Sequence, residues 1–379
     1  MKKRKDDAYA RILRAGGDPE ALDKILQDEC RRRAARKLAA TLLCAPGFRF
    51  PTALSAEQCT SDALAEFHAS LIGDGARVTD LTAGLGIDAF HLARKAERVV
   101  AMDLDPKVAQ ALGENAKALG LSNFEAHCGD CREWLAEYDG PRLDVAFIDP
   151  ARRDDAGGRL YSLTQCRPDV TEMLPAISRV ARRLLVKASP MLDISQTLRE
   201  LPGTRRAYCI GTRNECKELL LDIEFGYEGP AEIVAATVGE ETRLTVMAAD
   251  FDGRFAEGLE VGDRIGEPWP AVMKALSAGH IAGERLARST ALYRNPADDF
   301  PGEVYTVERI EEFSSSTVRR LAREGVDASV ATRNFPLSAD ELRKRLKARE
   351  NSRKRLIATT LSDGRQILAF LTPNVKKNA

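Results

Sequence analysis

The segment Val78–Asp88, VTDLTAGLGID, decides how the first half of this chain folds. Its apolar start is typical of a buried strand, and the glycines that follow end the strand just before a helical pattern begins. Gly84 and Gly86 have no Cβ, so a ligand can approach the backbone there, and the first N–H groups of the helix point towards it. A strand, a glycine turn and a helix in this order predict a site for a nucleoside cofactor.

Strands and helices alternate beyond this segment. The strand candidates are Arg77–Leu81, Arg98–Asp103, Asn123–His127, Leu143–Ile148, Arg183–Lys187, Arg206–Ile210 and Glu218–Phe225, with helical patterns between the first five. This alternation predicts a parallel sheet that is covered on both faces. Only a short loop separates the last two candidates, so we expect them to pair antiparallel and to complete a seven-stranded sheet.

Four aspartates lie at or just after the ends of the predicted strands, at the edge where open α/β sheets bind ligands. These are Asp80, Asp103, Asp130 and Asp149. Asp103 lies about twenty residues beyond the glycines and can accept both hydroxyls of a ribose, and Asp130 is placed to accept from an adenine amino group. Asp80 suits an ammonium group, which S-adenosylmethionine has and a dinucleotide lacks. One such aspartate alone more often caps a helix or starts a turn, but the four together favour the methyl donor.

A dinucleotide remains an alternative cofactor, because two features of the sequence fit it equally well. Gly84–Ala89 also fits the GxGxxA pattern of dehydrogenases, and Asp103 falls where such enzymes place the acid that binds the ribose. These two features do not discriminate between the cofactors. The antiparallel edge and Asp80 favour S-adenosylmethionine.

Length and composition restrict the class of protein. The chain has 379 residues, enough for two or three domains, and no apolar run long enough to cross a bilayer. No apolar segment follows the basic start Met1–Lys5, so we expect no secretory signal. The eight cysteines form no disulfide-like pattern, which favours a reducing cytoplasm. Cys128–Cys131 is a lone CxxC without a second ligand pair, so we expect no metal there.

Charge is balanced overall but unevenly distributed. Lys and Arg number 57, as do Asp and Glu, yet residues 341–379 hold eleven basic residues against three acidic ones. Such polarity suits a protein that presents one end to a polyanion, although a solvated helix face is the alternative. The candidate phosphate contacts in this tail are Arg343, Lys344, Lys347, Arg353, Lys354 and Arg355. We expect Phe335 and Phe370 to pack in the core rather than to stack on bases.

The remaining segments define the predicted domains. Residues 6–44 have helical periodicity, with a helix start at Asp18–Pro19. A hairpin is predicted for Glu232–Val238 with Thr242–Ala248, and a helix near Ala271–Leu276. From Val304, the predicted order of elements is strand, helix, strand, helix and two strands. Ser338 and Glu341 form a capping box for the second of these helices. We therefore predict a helical lobe (1–54), a cofactor-binding domain (55–228), a small α+β connection (229–302) and a basic α+β domain (303–379).

Several motifs give the chain a resemblance to a known family. The segments that carry this resemblance are DLTAGLGID, the acidic strand end in Val99–Asp105, Gly129–Asp130 and the FIDPAR segment Phe147–Arg152. Through these segments, residues 55–225 resemble the class I, seven-stranded methyltransferases. Glu57–Ser61, Asp149–Arg153 and the α+β tail are similar to methyltransferases of the bacterial RNA type with a THUMP-like C-terminal domain. The resemblance implies a Rossmann-like domain, S-adenosylmethionine as cofactor and structured RNA, such as rRNA or tRNA, as substrate.

The resemblance also implies the site residues. The cofactor contacts would be Asp80, Thr82, Ala83, Gly84, Gly86, Asp88, Asp103, Leu104, Asp130, Cys131 and Asp149. Asp149 and Pro150 match the active-site motif, but Ala151 and Arg152 stand where amino-directed enzymes carry a second proline and a stacking aromatic. We expect Arg152 and Arg153 to stack on a base or to pair with a phosphate.

The predicted reaction is methylation of an exocyclic amine or ring nitrogen of an RNA base, with Asp149 accepting a hydrogen bond from the nucleophile. Cys166 lies outside the motif, so we do not expect covalent catalysis. Two other functions stay open: a methyltransferase that acts on a protein or small molecule, and a cofactor-binding module without catalysis. We expect no membrane association and no obligate protein partner.

Overall fold

The computed structural model describes residues 18–152, 162–239, 241–249 and 254–374. The chain divides into two units: one runs to Ala207 and includes Glu218–Ala231, and the other consists of Tyr208–Lys217 with the chain from Glu232 onwards. The sequence predicts four segments instead. The structure assigns the tip of a hairpin within the second of those segments to the second unit.

The first unit contains the strands and helices that the sequence predicts to alternate. Its strands are β1 (Arg77–Asp80), β2 (Arg98–Asp103), β3 (Phe124–Cys128), β4 (Leu143–Ile148), β5 (Ala151–Arg152), β6 (Cys166–Arg167) and β7 (Ala181–Ala188), followed by β8 (Thr204–Gly211) and β9 (Cys216–Glu224), which form the hairpin shared with the second unit. Its described helices are α1 (Pro19–Ala34), α2 (Ala39–Cys44), α3 (Ala53–Gln58), α4 (Asp62–Ser70), α5 (Ile87–Ala93), α6 (Pro106–Ala118), α7 (Cys131–Glu137), α8 (Val170–Val180) and α9 (Ile194–Glu200).

The main strands of the first unit lie in the order β8-β9-β7-β4-β1-β2-β3. Strands β3, β2, β1, β4 and β7 are parallel, because a helix crosses over between each strand and the next along the chain. Strand β9 pairs antiparallel with β7. The predicted mixed α/β fold and its antiparallel edge are confirmed. The inner strands are buried on both faces, with Val78, Ala146 and Leu184 almost fully shielded from solvent.

The N-terminal lobe begins its described part at the predicted helix start. The Asp18 side chain accepts a hydrogen bond from the backbone N–H of Glu20, and Pro19 occupies the first turn of α1. Residues 6–17, which the sequence predicts to be helical, lie outside the described residues. After α2, the Phe48 ring lies 6.2 Å from that of Phe90 on α5, so the lobe packs directly on the helix that follows the glycine turn.

The second unit contains a hairpin and a separate sheet with two helices. Its strands and helices are β10 (Glu232–Thr237), β11 (Arg243–Val246), β12 (Arg264–Pro268), α10 (Pro270–Ala275), β13 (Glu284–Arg285), β14 (Tyr293–Arg294), β15 (Gly302–Glu312), α11 (Ser315–Glu324), β16 (Ser329–Arg333), α12 (Ala339–Leu346), β17 (Arg355–Thr360) and β18 (Gln366–Pro373). The sheet order is β13-β14-β12-β15-β18-β17-β16.

Helices α11 and α12 cover one face of this sheet. Leu321 and Leu342 are buried with Leu368 of the sheet, and Phe335 and Phe370 pack partly buried against the same cluster. The two phenylalanines are therefore core residues, as predicted. The capping box of α12 is also confirmed. Among the described helices of both units, none is both long and apolar enough to span a bilayer.

Candidate cofactor and active site

The glycine turn after β1 is held against the end of β2. The backbone N–H of Ala83 donates to the Met102 carbonyl at 2.8 Å. The backbone N–H of Gly84 donates to Oδ2 of Asp103 at 3.1 Å. The two strand ends that the sequence predicts to share a ligand are therefore joined directly.

The turn contains glycine at two positions for different structural reasons. Both have a positive φ, +55° at Gly84 and +89° at Gly86. A Cβ on Gly86 would lie 2.3 Å from Cδ1 of Leu112 and 2.6 Å from Cζ of Phe90, so this glycine is required by helix packing. A Cβ on Gly84 would meet no atom within 4 Å. Open space therefore lies beside Gly84, where a ligand can approach the backbone.

Asp103 is fixed with its carboxylate at the carboxyl edge of the sheet. Its second oxygen, Oδ1, accepts from the backbone N–H of Asp105 at 2.9 Å. Burial raises the pKa of Asp103, and the two backbone hydrogen bonds oppose that rise. The neighbouring Leu104 is 71% exposed, which leaves an apolar side chain beside this carboxylate. The Gly129 N–H donates to the Asp103 carbonyl at 3.1 Å, so the end of β3 lies next to the end of β2.

The Asp130 carboxylate contacts the first turn of α7, the helix that it precedes. Its carboxylate accepts from the Arg132 backbone N–H at 2.8 Å and pairs with the Arg132 guanidinium at 2.5 Å. The side-chain hydrogen bond from Arg132 lowers the pKa of Asp130. Arg132 contacts both carboxylate oxygens of Asp130, and the hydrogen bond that Asp130 would accept from an adenine stays a prediction. Cys131 is buried, which raises the pKa of its thiol to about 11. Cys128 is exposed, and no cluster suited to a metal occurs among the described residues.

Asp80 is almost fully buried at the end of β1. One of its oxygens accepts from the Thr82 backbone N–H at 3.1 Å. Burial raises the pKa of Asp80 well above its usual value, and the nearby Asp88 and Asp149 raise it further. A cationic group placed beside Asp80 would favour its ionised form. This environment fits the predicted match with an ammonium group.

Asp149 follows β4 and is connected to the glycine turn. Its backbone N–H donates to Oγ1 of Thr82 at 2.8 Å. Its Oδ2 accepts from the ammonium of Lys187 at 2.7 Å, because Ile148 and Val186 are partners in the pairing of β4 with β7. The Asp149 side chain is 42% exposed, so part of its carboxylate remains open at the edge of the sheet.

The residues after Asp149 are described only in part. Pro150 is buried, and Ala151–Arg152 pairs with Cys166–Arg167 in a two-stranded ladder. Cys166 is also buried. The side chain of Arg152 and the whole of Arg153, two predicted substrate contacts, lie outside the described residues.

Five residues behind Asp149 form a network that the sequence analysis did not assign. The Lys187 ammonium donates to Thr60 Oγ1 at 2.8 Å and lies 3.7 Å from Asp88 Oδ2. Thr60 Oγ1 in turn donates to Asp88 Oδ2 at 2.6 Å. His68 joins the network through Nδ1, 2.7 Å from Asp88 Oδ1, and through a contact of Nε2 with Glu218. The network runs from the edge of the sheet to the buried face of α4.

Opposite charges determine the protonation of this network. Burial alone would lower the pKa of His68, but the carboxylates of Glu218 and Asp88 outweigh burial and raise the pKa to about 10. Burial would raise the pKa of Asp88, but Lys187 and His68 lower it. The sequence predicts Asp88 as a cofactor contact, whereas the structure engages both of its oxygens with Thr60 and His68. Asp88 therefore acts inside the protein.

The sequence held a signal for some of these residues. Lys187 ends a predicted strand at the same edge as the four aspartates, so the reasoning that selected them applies to it. Thr60 lies in the Glu57–Ser61 motif, one of the segments that carry the family resemblance. His68 falls in the apolar pattern of α4, and Glu218 lies 150 residues away along the chain, so no local pattern links them.

The basic residues of the second unit divide into two groups. Exposed positions are Arg343, Lys344, Lys347, Arg353 and Lys354, on α12 and in the segment that follows it. Arg355 lies on β17 and donates to Glu267 Oε2 at 2.7 Å, with only 26% of its side chain exposed. The sequence predicts Arg355 as a phosphate contact, but here it belongs to an ion pair with a buried acid.

Two family models match parts of the chain. Residues 46–158 match "Conserved hypothetical protein 95", and residues 302–373 match "THUMP domain-like". An uncharacterized RNA methyltransferase of Lactococcus lactis is 27% identical over 153 residues, 39% of this chain and 30% of the relative. Ribosomal RNA small subunit methyltransferase J of Thioalkalivibrio sulfidiphilus is 31% identical over 130 residues, 30% of this chain and 51% of the relative. The chain thus spans about a third to a half of the length of these relatives.

A solved structure matches nearly the whole chain. The crystal structure of a candidate methyltransferase from Porphyromonas gingivalis W83 is 27% identical, covers 94% of this chain and 90% of its own, and has a TM-score of 0.84. Together with the strand order and the two model matches, this confirms the resemblance drawn from the sequence. The chain has the class I methyltransferase fold, followed along the sequence by a THUMP-like domain.

Proposed function

We propose that this protein is an S-adenosylmethionine-dependent methyltransferase that modifies a base in structured RNA, with rRNA and tRNA as the candidate classes. One observation carries the proposal. Asp80, the open glycine turn, Asp103 and the Asp149–Pro150 motif meet at the carboxyl edge of a sheet that ends in an antiparallel strand. Relatives that share part of this unit are named as RNA methyltransferases.

The residues at this edge fit S-adenosylmethionine. The space beside Gly84 accepts a ligand against the backbone, Asp103 offers a carboxylate to ribose hydroxyls, and Leu104 offers an apolar surface. Buried Asp80 gains a counter-ion when an amino group is bound near it. Glycine at 84 and acids at both strand ends are required for this arrangement, so we assign them to cofactor binding.

Methyl transfer depends chiefly on alignment, because it is an in-line displacement in which positive charge is dispersed. The bound cofactor supplies the electrophilic methyl group. The open part of the Asp149 carboxylate accepts a hydrogen bond from the acceptor amine and orients its lone pair. Thr82 and Pro150 fix the backbone of Asp149, so the acceptor meets a carboxylate at a defined position.

The THUMP-like domain supplies the surface for RNA in this proposal. Its exposed basic residues, Arg343, Lys344, Lys347, Arg353 and Lys354, suit contacts with phosphates. Such contacts recognise the backbone and shape of a folded RNA rather than its sequence. An RNA substrate and the absence of a disulfide-like cysteine pattern both support a cytoplasmic site of action.

The test is transfer of tritiated methyl groups from S-adenosylmethionine into RNA, protein and metabolite fractions of cells that lack this protein. The wild-type protein should label RNA, and Asp149→Ala should abolish the labelling while cofactor binding persists. Asp139→Ala removes an exposed aspartate elsewhere in the first unit and should leave labelling unchanged. Label that enters only protein or metabolites overturns the RNA assignment. Cofactor binding without any transfer overturns the catalytic one.

A further inference from the structure

Resting on the proposed function, we propose that Lys187 is a positioning residue: its ammonium holds one oxygen of Asp149, so that the other faces the methyl acceptor. The 2.7 Å hydrogen bond from Lys187 engages Oδ2. A carboxylate held at one oxygen cannot rotate freely, and a single oxygen is left to orient the acceptor. Asp149 then serves as a fixed hydrogen-bond acceptor in the site.

The surroundings of Lys187 show why it stays in this place. Its ammonium donates hydrogen bonds to Asp149 at 2.7 Å and to Thr60 at 2.8 Å, and the carboxylates of Asp88 and Glu218 lie 3.7 and 4.0 Å away. The side chain of Lys187 is only 13% exposed and its ammonium contacts Asp149 directly, so we assign it a role through Asp149.

The network is anchored in the core and opens only at the active site. His68 is fully buried, whereas the side chains of Glu218, Asp88 and Lys187 are 5%, 11% and 13% exposed, and that of Asp149 is 42% exposed. A buried ion pair usually costs more in desolvation than it gains, unless every group is paired. Here each charge has an opposite charge within 4 Å. A network built only for stability would not need its exposed end in the Asp149–Pro150 motif.

The charge on Asp149 responds to all the groups around it. Partial burial raises its pKa, Lys187 lowers it, and Asp88 and Glu218 raise it. Asp80, buried on the adjacent strand, also interacts with Asp149. Lys187 is the cation that opposes all of these effects. Its removal should make Asp149 harder to ionise, and only a lysine that positions Asp149 for the reaction should also move the pH dependence of kcat.

The experiment measures the titration of Asp149 directly. The protein is labelled with ¹³C at the aspartate carboxyl carbons, and the Asp149 signal is identified by its loss in Asp149→Asn. Lys187→Met should raise the midpoint of Asp149 by about one to three pH units, the range that a neighbouring opposite charge produces. Lys187→Arg should restore most of the wild-type midpoint. An unchanged midpoint in folded Lys187→Met overturns the inference.

A second variant and a matched control keep the test decisive. Because Lys187→Met leaves Asp88 and Glu218 without their ammonium, it can fail to fold. Thr60→Val keeps the charge, removes one partner of the ammonium, and should shift the Asp149 midpoint in the same direction by less. Lys95→Met removes a lysine paired with exposed Asp74 and should shift nothing. No shift in folded Thr60→Val when Lys187→Met is unfolded counts against the inference.

Activity separates this inference from the proposed function. In Lys187→Met, the acidic limb of the plot of kcat against pH should move to higher pH together with the Asp149 midpoint. At pH values below that midpoint, each pH unit of this shift should lower kcat tenfold. KM for S-adenosylmethionine should change little. If the wild-type protein transfers no methyl group to RNA, the proposed function fails, and the ¹³C titration still decides whether Lys187 positions Asp149. If wild-type transfers and Lys187→Met has the same pH profile, the role of Lys187 fails alone.

Discussion

Gly86 is the residue at which backbone conformation and packing both exclude a side chain. An alanine there would combine a φ of +89° with a Cβ that overlaps Leu112 and Phe90. The left-handed conformation costs about 1–2 kcal/mol, and overpacking adds about 1–3 kcal/mol. We expect Gly86→Ala to lower the free energy of unfolding by about 3 kcal/mol and to weaken cofactor binding, as measured by urea denaturation and calorimetric titration.

Gly120→Ala is the matched control for this change. Gly120 has a φ of +71°, but a Cβ there would meet nothing within 4 Å. Only the conformational cost applies, about 1–2 kcal/mol, and cofactor binding should stay unchanged. Equal losses of stability in the two variants would contradict the packing role of Gly86.

His68 makes the stability of the fold depend on pH. Its pKa is about 10 in the folded protein and 6.5 without the structure around it. Between pH 6.5 and 10, the folded state therefore holds a proton on His68 that the unfolded state has lost. The stabilising contribution is fully present below pH 6.5 and is lost as the pH rises towards 10. We therefore expect the thermal midpoint to fall steadily over this range. In His68→Gln this part of the pH dependence should disappear, and an unchanged slope would contradict the assignment.

The site could be predicted in part from the residues themselves. Asp80, Gly84, Asp103 and Asp149 each follow a recognisable strand, and the rule that ligands bind at carboxyl strand ends places them together. The partners of Asp88 could not be predicted, because Thr60 and His68 lie 28 and 20 residues away along the chain. Such long-range pairing leaves no periodic trace in the sequence.

At the scale of single elements, strands with clear apolar character were predicted closely. Strands β2 and β4 have the predicted limits, Arg98–Asp103 and Leu143–Ile148. Strands β13 and β14 leave no pattern in the sequence, because two residues are too short to display a period of two. The pairing of β14 with β12 and of β13 with β14 comes from tertiary packing.

The contribution of the capping box of α12 to stability can be tested by substitution. Oγ of Ser338 accepts from the Glu341 N–H, and the Glu341 carboxylate accepts from the Ser338 N–H at 2.9 Å. Ser338→Ala should cost about 1 kcal/mol of stability, because the first turn loses its partner. Ser352→Ala, in an exposed turn, should cost nothing measurable by denaturant unfolding. Equal effects of the two changes would show that the box contributes nothing to α12.

At the scale of the whole molecule, a net charge of zero means that attraction to RNA must come from local distribution. On α12 and in the segment after it, seven exposed Lys and Arg residues outnumber three exposed Asp and Glu residues: Arg343, Lys344, Arg345, Lys347, Arg349, Arg353 and Lys354 against Asp340, Glu341 and Glu350. Binding of a polyanion through this surface releases counterions, so affinity should fall with rising salt.

The final prediction follows from this uneven distribution. Replacing Lys344 and Lys347 by glutamate should weaken RNA binding and make the slope of log K against log[salt] shallower by about 1.5, because each lost phosphate contact removes roughly 0.7–0.9. Lys24→Glu with Lys117→Glu changes net charge equally, at exposed positions on α1 and α6. Filter binding at several salt concentrations compares the two pairs. If both pairs weaken binding equally, RNA responds to net charge alone and the basic surface of the THUMP-like domain is not its docking site.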